Sequence, residues 1–286
     1  MNDNRLQIAR SLGDLRHTVA AWRAAHEPVA LVPTMGALHA GHLALVRAAR
    51  SPRARIVVSV FVNPKQFGPT EDFAAYPRNE AADLAALREV GVDLAYMPPV
   101  ETIYPPGFAT TVSVARLTKG LCGAHRPGHF DGVATVVAKL LLQALPDRAY
   151  FGEKDYQQLM IIKRLARDLD ISVEITGVPI VRESDGLALS SRNVYLSTEE
   201  RRVAPLLYRT LSEVAGAGAS DAAIARGRAA LDAAGLAVEY LELRDAATLA
   251  PVAGLPERPA RLLAAVHLGR TRLIDNTAVA GSTGRP

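Results

Sequence analysis

The chain has 286 residues, enough for two domains or one large one, and 49% are hydrophobic against 22% charged, the balance of a globular protein with a substantial core. The net charge of +4 is scattered, with no run of five basic residues, which suits a small anionic ligand and gives no ground for nucleic acid as a partner. A single cysteine, Cys122, excludes an internal disulfide and fits a reducing compartment. The longest apolar run is interrupted by Lys139 and Gln143, and the first eleven residues lack a signal-peptide core. The expectation is a soluble, cytoplasmic protein with no membrane partner.

Residues 11–26 form an amphipathic helix pattern with Ser11 as its cap. Val29 to Val32 is a short apolar run that suits a buried parallel strand. Pro33 is expected to end it, with Thr34-Met35-Gly36 as a turn. From His39, apolar Leu43, Val46 and Ala49 recur every three residues, so a helix begins there with His39 and His42 in its first turn. Gly36 and Gly41 allow a ligand close to the backbone, and unpaired N–H groups at a positive helix end favour phosphate. Two histidines so spaced could also be a surface pair or zinc ligands. The zincin pattern, however, has Glu beside the first His and a spacing of four, where this chain has Ala40 and a spacing of three.

Ile56 to Val62 reads as a second buried strand, ending at Asn63-Pro64 on the edge where open α/β sheets collect ligands. A helix over 79–90, with Ala82, Leu84, Leu87 and Val90 inward, precedes a short strand at 93–97. Residues 110–116 alternate like an edge strand, and a glycine-rich loop, LCGAHRPGHFDG, leads to an apolar helix over 133–145. A strand at 148–151, a helix opened by Gly152-Glu153-Lys154-Asp155 and a strand at 173–181 follow. SDGLALSSRN (184–193) has no period and reads as a loop. Beyond Thr198 come two helical segments and two strand-like runs, VEYLEL and LLAAVHL, and the last eleven residues are expected to fray. The predicted fold is α/β: a Rossmann-like parallel-sheet N-terminal domain (1–181), then a smaller α+β C-terminal domain (182–286) that closes as a lid.

The stretch PTMGALHAGH (33–42) resembles the HIGH signature of the nucleotidyltransferase superfamily. With FVNPKQFG (61–68), RPGHFDGV (126–133), FGEKDYQQL (151–159) and LSSRN (189–193), the chain resembles the pantothenate synthetases, the pantoate–β-alanine ligase family, over nearly its whole length. Ala40 is one departure, since many members carry Glu there.

The resemblance implies that pantoate carboxylate attacks the α-phosphorus of ATP, giving pantoyl adenylate, and that β-alanine then displaces AMP. The first step builds charge on phosphate and calls for fixed donors and cations rather than a protein nucleophile. By resemblance, His39, His42 and Lys154 are catalytic, and Met35, Gly36, Ala37, Leu38, Ala40 and Gly41 line ATP. Gly152 and Val181 meet adenine and ribose, with Glu153 and Asp155 beside them. Leu189, Ser190, Ser191 and Arg192 match the loop that holds the β- and γ-phosphates. Gln66 and Gln158 are expected to hold pantoate, Gln66 also β-alanine, because an amide can both donate to and accept from a hydroxyl without titrating. Asn63 and Met35 are expected to bind the same substrates, with Phe61 as an apolar neighbour, and Arg126, His129 and Tyr76 are further candidates. Mg2+ is expected on the triphosphate with no protein metal site, and the resemblance implies a homodimer. Two other readings compete: a nucleotidyl transferase making a stable dinucleotide, and a non-catalytic nucleotide-binding module. Their products separate them.

Overall fold

The computed structural model describes residues 6–69 and 71–281. The chain divides into two compact units, one of residues up to Glu153 with Ile161–Pro179, the other of Lys154–Met160 with the residues from Ile180 onward.

In the first unit the elements run β1 (Gln7–Ala9), α1 (Leu12–Ala24), β2 (Val29–Thr34), α2 (Ala40–Ala49) and β3 (Arg55–Val60). A 3-10 turn (Pro64–Gln66), α3 (Glu80–Glu89), β4 (Leu94–Tyr96), the one-turn helices α4 (Val100–Ile103) and α5 (Cys122–His125), and α6 (His129–Ala144) follow. The unit ends with β5 (Arg148–Gly152), α7 (Tyr156–Asp168), whose first turn belongs to the other unit, and β6 (Glu174–Val178). All six strands are parallel, in the order β1-β4-β3-β2-β5-β6. Leu31, Val32, Val57 and Val58 are wholly buried, as strands covered by helices on both faces require. This is the expected α/β, Rossmann-like sheet.

The strand order reverses at β2, with β3 and β4 on one side and β5 and β6 on the other. Doubly wound sheets bind ligands at the carboxyl edge of such a switch point. Here the sheet also splits. β2 and β5 pair only at Ala30–Arg148 and Leu31–Ala149, yet the strands run on to Thr34 and Gly152.

Pro33 lies inside β2, where the sequence reading ended the strand. The Val29 carbonyl accepts from Asp147 on the β5 side, and the Thr34 carbonyl accepts from Phe61 on the β3 side. Alternation along the strand therefore turns the Pro33 nitrogen toward β5, beyond the last paired residue, where no donor is needed.

Three other expectations change. Residues 110–116 form no strand, because the Val112 N–H is taken by the Thr135 hydroxyl of α6 at 2.9 Å. Helix α6 starts at His129, four residues before its apolar run, and β1, α4 and α5 had no sequence signal strong enough to read.

In the second unit, α8 (Thr198–Val203) and α9 (Leu206–Gly216) replace one expected helix, separated at Ala204-Pro205. After α10 (Asp221–Ala233), capped by Ser220, come β7 (Leu236–Asp245), β8 (Ala260–Leu268) and β9 (Thr271–Val279) in an antiparallel sheet of that order. Leu207, Leu211 and Val214 of α9 pack with Leu241, Leu262 and Val266 of the sheet in one core. Strand β9 overturns the expected frayed tail as far as Val279, while 282–286 lie outside the described residues. Asp275 and Asn276 broke the apolar pattern there, but both are buried with partners. Arg182 reaches the Asp275 carboxylate with two nitrogens (2.6 and 2.9 Å), and Arg261 Nε donates to Asn276 Oδ1 at 2.6 Å.

Among the described residues no helix is long and apolar enough to cross a membrane.

Candidate active site

The carboxyl end of β2 leads through residues 35–38 into α2, and the two histidines cap that helix. His39 is the N-cap and its Nδ1 accepts the Gly41 N–H at 3.1 Å. His42, at the third helical position, turns its Nδ1 back onto the His39 N–H at 3.3 Å. This is a capping box built from imidazoles rather than from Ser and Glu. A ring nitrogen that accepts carries no hydrogen, so in each neutral ring the hydrogen sits on Nε2. The rings lie 4.1 Å apart. Both are half-buried.

Several backbone N–H groups at this turn already have acceptors. Gly36 donates to the Thr34 hydroxyl at 3.3 Å, and the Ala37 and Leu38 N–H groups go to the two carboxylate oxygens of Asp83 on α3, at 3.1 and 2.8 Å. The His39 and Gly41 N–H groups are held by imidazoles, and the ring Nε2–H groups add donors for a phosphate at this turn. Asp83 is 4% exposed and shapes the turn. Gly36 (φ +80°) and Ala37 (φ +50°) are left-handed, and a Cβ on Gly36 would press on the Asp83 carboxylate at 2.8 Å. Sequence reasoning passed over Asp83, though it stands four residues before the inward Leu87 on the same helix face.

At the end of β3, Asn63 caps the 3-10 turn and is almost wholly buried. Its Nδ2 donates to Gln66 Oε1 and to the Gly132 carbonyl, both at 3.1 Å. Its Oδ1 accepts from Lys65 N–H at 3.3 Å and from the Tyr104 hydroxyl at 2.8 Å. The side chain is thus fully occupied, and its effect is to aim Gln66. Gln66 Nε2 in turn points at Met35 Sδ, 3.1 Å away. Met35, Asn63 and Gln66, predicted from two separate motifs, stand together in this unit. Phe61 and Tyr76 are buried nearby in sequence, and burial pushes the Tyr104 phenol up from its ordinary value. Gly152 and Glu153 close β5 at the split in the sheet.

The other predicted residues belong to the second unit. Lys154 and Ser190 line one small cavity there with Ala188, Asn193, Leu273 and Asp275. The Lys154 carbonyl accepts from Asn276 Nδ2 at 3.0 Å, which ties it to β9. Asp155 is exposed in the 3-10 turn before α7, and Gln158 is half-buried in the first turn of that helix. Val181 and Leu189 are joined by a backbone hydrogen bond (3.0 Å), so the base of the 184–193 loop is a tight, paired turn. Ser190 then caps a 3-10 turn, Ser191–Tyr195, by accepting the Arg192 N–H at 3.3 Å.

The family model for pantoate-beta-alanine ligase matches residues 7–278. The chain belongs to the pantoate–β-alanine ligase family. It is 60% identical over 279 residues to a pantothenate synthetase of Rhodospirillum rubrum, covering 96% of this chain and 99% of that one. It is 58% identical to one from Paramagnetospirillum magneticum, covering 96% and 98%. Among solved structures, a pantothenate synthetase of Thermus thermophilus superposes with a TM-score of 0.88 at 52% identity, over 96% of this chain and all of that one. A pantoate–β-alanine ligase of Francisella tularensis, complexed with beta-gamma ATP and beta-alanine, gives 0.81 at 32% identity, over 96% and 97%.

The chain is therefore an enzyme, a ligase of pantothenate formation. Among the described residues of this ligase, no three His, Cys, Asp or Glu are grouped to hold a metal ion. A hard cation such as Mg2+ prefers oxygen ligands, which a triphosphate itself provides.

Proposed function

We propose that this ligase activates (R)-pantoate with ATP as pantoyl adenylate and passes the pantoyl group to β-alanine, releasing pyrophosphate and then AMP. In the first step a pantoate carboxylate oxygen bonds to the α-phosphorus as the bond to the pyrophosphate oxygen breaks. In the second the neutral β-alanine amine adds to the acyl carbon, AMP leaves, and the amine sheds a proton. The observation that carries the reading is the imidazole capping box at the switch point. Two neutral rings with hydrogen on Nε2 donate to phosphate oxygens as charge builds, without rearranging.

We assign Lys154, Ser190, Ser191 and Arg192 to the outer phosphates, with Leu189 beside them, and Met35 to His42, Gly152, Glu153, Asp155 and Val181 to the nucleotide. Gln66 and Gln158 take pantoate, and Gln66 also β-alanine. The Met35 sulfur is a weak acceptor, so a substrate hydroxyl can replace it on the Gln66 amide at little cost. Mg2+ enters as part of the nucleotide. A cytoplasmic homodimer is the assembly the family resemblance supports.

Product analysis tests the reading. ATP with pantoate and β-alanine should yield AMP, pyrophosphate and pantothenate, and pantoate alone should support exchange of labelled pyrophosphate into ATP. A dinucleotide product, or no exchange without β-alanine, would replace it.

A further inference from the structure

We infer that His129, together with Arg126, is a positioning residue that fixes Gln66 by holding its backbone carbonyl. The inference rests on the reading of Gln66 as the substrate amide. The carbonyl lies 2.8 Å from His129 Nδ1 and 3.3 Å from Arg126 Nη2. A carbonyl only accepts, so His129 Nδ1 carries the hydrogen. Arg126 Nη1, which only donates, sits 3.1 Å from His129 Nε2, so that nitrogen is the acceptor. His129 is thereby held neutral, in the tautomer opposite to that of His39 and His42. Glu71 grips Arg126 in a two-pronged pair, Nε to Oε1 at 2.8 Å and Nη2 to Oε2 at 2.5 Å.

The turn that carries Gln66 needs such a hold. Its own hydrogen bonds, Gln66 N–H to Asn63 O and Phe67 N–H to Pro64 O, are both 3.4 Å, at the weak end of the range. The first turn of α6 supplies what the turn lacks. A Cβ on Gly132 would land on the Lys65 carbonyl and the Gln66 nitrogen, so helix and turn meet backbone to backbone. The Gly132 carbonyl also holds Asn63, which aims the Gln66 side chain. Carbonyl and side-chain amide are thus fixed from opposite ends, which sets the direction in which the amide meets substrate.

The test is a double-mutant cycle in steady-state kinetics. His129→Phe keeps a ring against Phe130, 4.8 Å away, and removes both nitrogens. It should raise KM for pantoate and β-alanine ~10-fold, a modest share of what a misplaced group costs, with KM for ATP little changed. His129→Gln, which can still donate and accept, should recover much of the loss. In a Gln66→Ala background the His129→Phe change should add nothing further to either KM. An equal effect in both backgrounds, or no effect beside a clear effect of Gln66→Ala, would overturn the inference. If Gln66→Ala itself leaves both KM values unchanged, the assignment of Gln66 is at fault instead. His129→Ala takes the place of the Phe variant if that one does not fold.

Discussion

His42 Nδ1 accepts the backbone N–H of His39, so the second histidine of the motif is oriented by the peptide of the first. One ring nitrogen holds the helix start and the other carries the hydrogen for chemistry, and substitutions can divide the two. His42→Glu can restore the reach back to the N-cap that a third-position Glu makes in an ordinary capping box. An ionised carboxylate has no donor to offer at the Nε2 position. Thermal stability should stay near that of the parent, while pantoate-dependent pyrophosphate exchange falls ~10²–10³-fold, the usual effect of one lost preorganised donor. His42→Ala should lose both. Exchange at the parental rate in either variant would make the histidines structural only.

The turn before α2 hangs on a carboxylate from another helix. Asp83→Asn puts an amide NH2 against one of the two N–H groups that Asp83 now accepts. A buried donor left unmatched costs ~1–3 kcal/mol, and the unfolding midpoint in urea should shift accordingly. Pyrophosphate exchange should fall too, since the histidines are displaced with the turn. A variant as stable and active as the parent would remove Asp83 from the account.

Gln158 is assigned to pantoate alone. Gln158→Ala should raise KM for pantoate by the cost of an unsatisfied hydroxyl, ~1–3 kcal/mol, and leave ATP affinity, read by calorimetry, nearly unchanged. Lost ATP affinity with pantoate KM intact would mean that the two assignments are exchanged.

Acid should loosen the support of Gln66 through Glu71. Burial pushes the Glu71 carboxyl up, but the hydrogen bond and charge of Arg126 outweigh it and hold the carboxyl below its ordinary range. A lowered folded-state value stabilises the protein fully above the ordinary carboxylate range of about pH 4–5, and that stability fades as pH falls through the lower folded value. Glu71→Gln should therefore flatten the fall in unfolding free energy between about pH 5 and pH 3. An unchanged slope would show that the pair contributes nothing to acid sensitivity.

What the sequence disclosed and what it withheld divide along one physical line. Strands β2 to β8 and helix α2 were legible because their signal is local, an apolar run or a three-residue recurrence. Asp83 was not, because an acid on a helix reads as surface until its partners, 45 and 46 residues earlier, are brought to it. Strand β9 was hidden for the same reason, its buried Asp275 depending on Arg182, 93 residues away. The motifs around Met35 and Gln66 could be named separately, but their contact exists only in the folded chain. Pro33 misled in the opposite direction. A rule about ladder donors ended β2 too early, because the side of the strand on which the donor was missing had no ladder left to complete.

The gap between β2 and β5 is written into the main chain: at the one place where the two strands could have zipped further, the nitrogen that would close the next tooth is a ring nitrogen with no hydrogen. The separation of the two strands beyond Leu31 and Ala149 therefore does not rest on side chains alone. An alanine in place of Pro33 would restore the missing N–H and let the two strands pair one step further.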